Sequence, residues 1–133
     1  MQVKDLMQTE LKFVTPDATI ADAILVLSEA HVSAVPVVDR RDNMVGVLST
    51  TDVLNAAAET AAAEERERLF ALTQVSEIMT SRPATIAPDA EIKEAAQQML
   101  YLEVHRLFVE EERRLVGVIS QTDIVRAVAL TKI

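Results

Sequence analysis

Hydrophobic and polar positions follow one course along the first half of the chain and then follow it again. Ile20, Ala23, Ile24 and Leu27 fall at the spacing of a single helix face, and Ile92, Ala95, Ala96 and Met99 repeat that face in the second half. Ahead of each predicted helix stand a short extended piece, Lys12–Thr15 or Ala84–Ala87, and a Pro-Asp pair that favours a turn and then a helix start. Thr19-Ile20-Ala21-Asp22 has the order of a capping box. After each helix comes an apolar run of strand length, Ala34–Val38 or Leu107–Val109. A charged turn, Asp39–Asn43 or Glu110–Arg114, leads into a second run, Val45–Leu48 or Leu115–Ile119. Two such runs around a polar turn predict a β-hairpin. Second helices start at Ser49 and Ser120, so each half reads β-α-β-β-α and the fold class is α+β.

The landmarks match in order. Met7 answers Met79, Pro16-Asp17 answers Pro88-Asp89, and Ala23 answers Ala95. After a one-residue gap, Gly46-Val47-Leu48-Ser49-Thr50-Thr51-Asp52 answers Gly117-Val118-Ile119-Ser120-Gln121-Thr122-Asp123, and these segments hold the only two glycines of the 133 residues. A unit too small to bury its own apolar face stacks on its neighbour, so the repeat predicts one body with two equivalent half-sites about a pseudo-twofold axis. The boundaries are 1–57 for the first repeat, 58–74 for a connector and 75–133 for the second repeat. Ala56–Leu72 lacks Gly and Pro, is rich in strong helix formers and places Glu64 four residues before Arg68, which predicts a helical extension joining the copies.

Composition narrows the chemistry. An apolar fraction of 50% suits an ordinary core. The absence of cysteine excludes disulfides, thiolate zinc sites and cysteine nucleophiles, and suits a reducing, cytoplasmic setting. No apolar run reaches membrane-span length and no signal-peptide layout opens the chain, which predicts a soluble protein without a membrane partner. A net charge of -8 disfavours a nucleic-acid surface, because polyphosphate binding needs clustered Lys and Arg.

The segments with chemical potential are the two Gly-Val-x-Ser-x-Thr-Asp runs. Where a strand ends there and a helix begins, unpaired backbone N–H groups and the positive helix end attract anions. Ser and Thr hydroxyls can donate to phosphate, while Asp suits the hydroxyls of a sugar. The same spacing also satisfies the capping-box rule, so on spacing alone helix capping is the favoured role of Ser49-x-x-Asp52 and Ser120-x-x-Asp123. His31 aligns with Glu103, not His105, and is expected at a helix end. Glu64-Glu65 and Glu110-Glu111-Glu112 read as solvated surface, not metal ligands. No nucleophile, base and orienting group come together, and no Gly-rich phosphate loop occurs, so catalysis is not expected.

The T-I-A-D-A and E-I-K-E-A helix starts, His31–Asp39 (HVSAVPVVD) and the two G-V-x-S-x-T-D runs, occurring twice in order over Val3–Leu130, resemble a tandem CBS domain pair, also called a Bateman module. The resemblance implies two β-α-β-β-α repeats packed with pseudo-twofold symmetry. It also implies a non-catalytic regulatory module whose clefts between the repeats bind an adenosine nucleotide (AMP, ADP or ATP) or S-adenosylmethionine. Glu103-Val104-His105-Arg106-Leu107 is similar to nucleotide-binding repeats of the regulatory γ subunit of AMP-activated protein kinase, where a His-Arg pair at this place contacts phosphate.

By this resemblance a main cleft would join Ser49, Thr51 and Asp52 with Ala84, Val104, His105 and Arg106, and a second would join Ser120, Thr122 and Asp123 with Lys12, Val32 and Ser33. The second lacks a His-Arg pair, which ranks it lower, since Arg offers phosphate a charged fork of donors. The second repeat departs from the pattern in having Phe108 where the first has Pro36. The resemblance further implies a homodimer. The sequence shows no attached enzyme or transporter domain, so any signal is expected to pass to a separate effector protein, and no cofactor or metal is expected beyond the adenosyl ligand. The alternative is a structural dimerisation protein with vestigial clefts.

Overall fold

The computed structural model describes residues 1–60, 62–81 and 83–131. In chain order its elements are α1 (Val3–Leu6), α2 (Ile20–Ala30), β1 (Ala34–Val38), β2 (Met44–Ser49), α3 (Thr50–Ala58), α4 (Ala63–Leu72), α5 (Val75–Ile78), β3 (Thr80–Ser81), β4 (Thr85–Ile86), α6 (Ile92–Leu102), β5 (Arg106–Glu111), β6 (Arg114–Ser120) and α7 (Gln121–Thr131). They form an α+β fold with two small three-stranded sheets, ordered β1-β2-β3 and β4-β5-β6.

Local chemistry sets the helix ends. Thr19 Oγ1 accepts from the Asp22 backbone N–H at 3.1 Å and Asp22 returns the favour to Thr19, the capping box expected there. His31 and Glu103 both close their helices in the left-handed conformation, at φ 54° and 56°, so the aligned pair is a repeated C-cap. At the Pro16-Asp17 turn, a hydrogen bond from Thr15, then one from the backbone and the nearby Arg40, hold the exposed Asp17 carboxyl below its ordinary value. That turn is favoured above the unfolded carboxylate pKa and loses the contribution as pH falls through the folded one.

The chain divides into two compact units, Met1–Leu11 with Ala84–Ile133, and Lys12–Pro83. These units do not coincide with the sequence repeats, because the leading segments are exchanged. Met1–Leu11, which opens the first repeat, completes the unit built on the second repeat. There Gln8 and Val118 exchange backbone hydrogen bonds at the free edge of β6. Thr80–Ser81, the counterpart in the second repeat, pairs as β3 with β2 of the first. The opposite edges also correspond: β4 runs parallel to β5, and Val14 bridges Val37 in parallel. The extended piece expected at Lys12–Thr15 therefore narrows to a single bridge at Val14.

Both glycines are explained by this exchange and not by turns, for neither has a positive φ. A Cβ on Gly46 would lie 2.7 Å from Met79 Sδ and 2.8 Å from the Thr80 carbonyl oxygen, and one on Gly117 would lie 2.6 Å from Met7 Sδ and 3.0 Å from the Gln8 carbonyl oxygen. Each exchanged segment thus runs across its strand at a distance that only a residue without a side chain permits.

Each unit has its own core. In one, Ile92, Ala95 and Met99 of α6 pack with Leu107, Val109 and Ile119 of the hairpin and with Val3 of the exchanged segment. In the other, Ala23 and Leu27 of α2 pack with Val35, Val37 and Leu48 and with Val75 of the exchanged α5. Of the helix faces read from the sequence, Ile20, Ala23 and Leu27 and, in the second copy, Ile92, Ala95 and Met99 are buried, while Ile24 and Ala96 are half-buried.

The continuous helix expected over Ala56–Leu72 is not formed. α3 stops at Ala58 and α4 begins at Ala63; Ala61, within the expected span, lies outside the described residues. The break has a local cause: Thr60 turns back and donates both its hydroxyl, at 2.8 Å, and its backbone N–H, at 3.2 Å, to the Ala57 carbonyl. α4 then packs on α2, with the Thr73 carbonyl accepting from Ile20 N–H. Among the described residues, no helix is long and apolar enough to cross a membrane.

Candidate functional site

The two helix-start motifs adopt the same local structure. Ser49 ends β2 and caps α3; its Oγ accepts from Asp52 N–H at 3.1 Å, while Asp52 Oδ2 accepts from Ser49 N–H at 2.9 Å. Ser120 and Asp123 repeat the pair at 3.1 and 2.9 Å. Capping, one of the two roles the spacing allows, is therefore filled at both places. A carboxylate has about four lone-pair sites, so the capping bond leaves capacity for other donors.

What remains free differs between the copies. Asp52 is half-buried, and its further contact is with the Thr80 hydroxyl at 3.4 Å, a long and weak bond. Asp123 is only 9% exposed. Its Oδ1 accepts from the Gln8 side-chain amide at 3.2 Å and lies 4.0 Å from the Arg126 guanidinium. Gln8 and Thr80 occupy the same position in the two repeats, directly after Met7 and Met79, so one exchange supplies a short hydroxyl to Asp52 and a long amide to Asp123. The more exposed and less engaged of the two carboxylates is the one at position 52.

Of the residues expected in the main cleft, Ser49, Thr51 and Asp52 lie together at the start of α3, with Thr51 exposed in the first turn. Ala84, Val104, His105 and Arg106 belong to the other unit. There Ala84 precedes β4, and Val104 and His105 link α6 to β5, whose first residue is Arg106. His105 is exposed and Arg106 half-buried. Of the second set, Lys12, Val32 and Ser33 share a unit with Asp52, while Ser120, Thr122 and Asp123 share a unit with His105. Within its unit, Ser33 abuts a helix start, its carbonyl accepting from Thr50 N–H at 2.8 Å.

Three polar residues escaped the sequence reading: Thr80, Gln8 and Gln121. The first two become visible only through the exchange of segments. Gln121 sits inside the motif, where Thr50 stands in the first copy, and it bonds both Val104 and His105. Phe108, where the first repeat has Pro36, is buried at 7% exposure and both positions lie inside their hairpins, so the departure leaves the strand intact.

Comparison with known proteins rests on the same two blocks. The sequence profile of the CBS domain family matches residues 3–59 and 75–130. The chain belongs to the CBS domain family. Its two CBS repeats are 30% identical over 122 residues to the CBS domain-containing protein YhcV of Bacillus subtilis (strain 168), covering 92% of this chain and 81% of that one. Inosine-5'-monophosphate dehydrogenase of Methanocaldococcus jannaschii is 33% identical over 114 residues, which is 85% of this chain but only 21% of that protein's length. The crystal structure of CBSX2 in complex with AMP resembles the CBS pair described here with a TM-score of 0.81 at 29% identity, covering 99% of this chain and 98% of that one. CBSX2 from Arabidopsis thaliana, a CBS-pair protein, compares at a TM-score of 0.79 and 30% identity over 98% of this chain and 96% of that one.

Proposed function

We propose that this CBS pair is a non-catalytic cytoplasmic sensor of an adenosine nucleotide and passes its signal to a separate effector protein. The observation that carries the reading is the availability of the Asp52 carboxylate at the start of α3, beside the hydroxyls of Ser49 and Thr51. Asp52 would accept from the ribose hydroxyls, and Ser49 and Thr51 would donate to phosphate. His105 and Arg106 would supply positive charge, with adenine against Val104 and Ala84. The AMP complex of CBSX2, similar along nearly its whole length, supports an adenosyl ligand. The second set, Lys12, Val32, Ser33, Ser120, Thr122 and Asp123, would bind more weakly, consistent with Asp123 being engaged by Gln8 and Arg126.

The reading is tested by thermal denaturation with AMP, ADP, ATP and S-adenosylmethionine. At 100 times its dissociation constant the preferred ligand adds about 2.7 kcal/mol. No shift with any of the four would favour the alternative, a dimerisation protein whose capping boxes only close helices. Both readings expect a homodimer, because Leu100 (74% exposed), Tyr101 (87%) and Val125 (66%) stand on α6 and α7. Sedimentation at micromolar concentration should show a dimer, and a monomer would count against pairing.

A further inference from the structure

The chain has no cysteine, so its oxidisable sulfur is confined to five methionine thioethers. Two of the five are placed alike and unlike the rest. Met44 and Met99 are buried and Met1 is exposed, whereas Met7 and Met79 are half-buried and close α1 and α5 against the two glycines.

Each of the two is a clasp. The Met7 sulfur stands 2.6 Å from where a Cβ on Gly117 would lie, and its backbone N–H donates to the Val3 carbonyl at 2.9 Å. The next residue, Gln8, exchanges backbone bonds with Val118 at 2.8 and 3.0 Å. Met79 repeats the arrangement, with its sulfur 2.7 Å from a Cβ on Gly46, its N–H on the Val75 carbonyl at 2.9 Å, and Thr80 paired with Val47. Both side chains also pack on the apolar core of their unit, so an uncharged, polarisable sulfur fastens each exchanged segment to its strand. Glycine closes one side of the sulfur. Met7 further lines a cavity of about 590 Å³ whose wall holds Asp89, Glu110, Glu111 and Glu112, with Lys4 beside them.

We propose that Met7 is a site of reversible oxidation by hydrogen peroxide, with Met79 its counterpart in the other unit, and that each sulfoxide loosens the segment it clasps. Hydrogen peroxide is small and neutral and enters the cavity, where the carboxylates repel an anionic oxidant. A sulfur lone pair attacks one peroxide oxygen; the O–O bond breaks as the S–O bond forms. The proton on the transferred oxygen passes to the departing hydroxide, which leaves as water, so the thioether gives up two electrons and the peroxide gains them. The product is polar and chiral where the thioether was apolar, and it stands against an apolar cluster. A methionine sulfoxide reductase restores the thioether and releases water while its dithiol becomes a disulfide. Met1–Leu11 also carries Gln8, the donor to Asp123, so loosening this segment withdraws that donor from the carboxylate.

The full chain is treated with hydrogen peroxide under native conditions and its sulfoxides are located by peptide mass mapping. Met7 and Met79 should oxidise at least about tenfold faster than Met44 and Met99, following exposure. The oxidised protein should melt about 4 °C lower, and methionine sulfoxide reductase should restore the original midpoint. Peroxide should leave the midpoint of the double variant Met7→Leu with Met79→Leu unchanged, since leucine conserves the volume and carries no sulfur. That variant keeps Met1, so its constancy assigns the shift to the clasps. Because glycine closes one side of the sulfur, a single sulfoxide epimer should dominate at Met7 and yield to one of the two epimer-specific reductases, whereas protein oxidised in urea should give both epimers. Oxidation of Met44 and Met99 as fast as Met7, an even mixture of epimers at Met7 in the native protein, or a Met7 sulfoxide with an unchanged midpoint overturns the proposal. These three are read on the wild type, so they decide even where the double variant folds poorly.

Discussion

Asp52→Ala should weaken AMP binding at least about tenfold, or about 1.4 kcal/mol, and cost the fold no more than about 1 kcal/mol. Its carboxylate is the half-exposed one, and the group lost on the protein side is one end of a capping box whose other end, Ser49, survives. Asp123→Ala should behave in the opposite way. Removing that carboxylate leaves the Gln8 amide and the Ser120 N–H without their acceptor at a site only 9% exposed, at about 1 to 3 kcal/mol for a group left unsatisfied. Its effect on AMP affinity should be smaller than that of Asp52→Ala. Calorimetric titration and urea unfolding of both variants read the two axes, and equal losses of affinity would contradict the ranking of the sites.

The largest stability effect is expected at a residue with no side chain. Gly46→Val introduces a branched group where even a Cβ meets the Thr80 carbonyl at 2.8 Å, a backbone atom held by its pairing with β2. Loss of about 3 kcal/mol, the upper end for overpacking, should follow, together with release of β3. Gly117→Val should cost less, because its nearest backbone atom, the Gln8 carbonyl oxygen, stands off at 3.0 Å and the closer contact is the flexible end of Met7. Equal unfolding midpoints for the two variants would show that the segments yield alike.

Most of the fold was legible because its signals are short in range. The Thr19-Asp22 box, the apolar faces of α2 and α6 and the runs on either side of Asp39–Asn43 each depend on residues a few positions apart, and the structure forms them where the spacing puts them. The helix over Ala56–Leu72 failed because propensity summed along an alanine-rich stretch outweighed one Thr60 hydroxyl able to bond backward. The exchange of leading segments was not legible, since Val3–Met7 and Val75–Met79 are alike enough that either could have packed with either repeat. The same ambiguity hid Gln8 and Thr80. The availability of Asp52 and the occupation of Asp123 follow from those two side chains and not from the motifs, which read identically.

A solitary repeat of this kind would be left with an open sheet edge beside its glycine and a vacancy where Val3 or Val75 belongs. It could mend both by lending its own leader to an identical molecule and borrowing that molecule's in return, a domain swap. Fusion of two such molecules end to end would turn the reciprocal loan into an internal one, and a half cut out afterwards would lose the leader it borrows and return to swapping with a copy of itself. The reliance of each half on the other's leader thus comes down to two methionines and the glycines that make room for them.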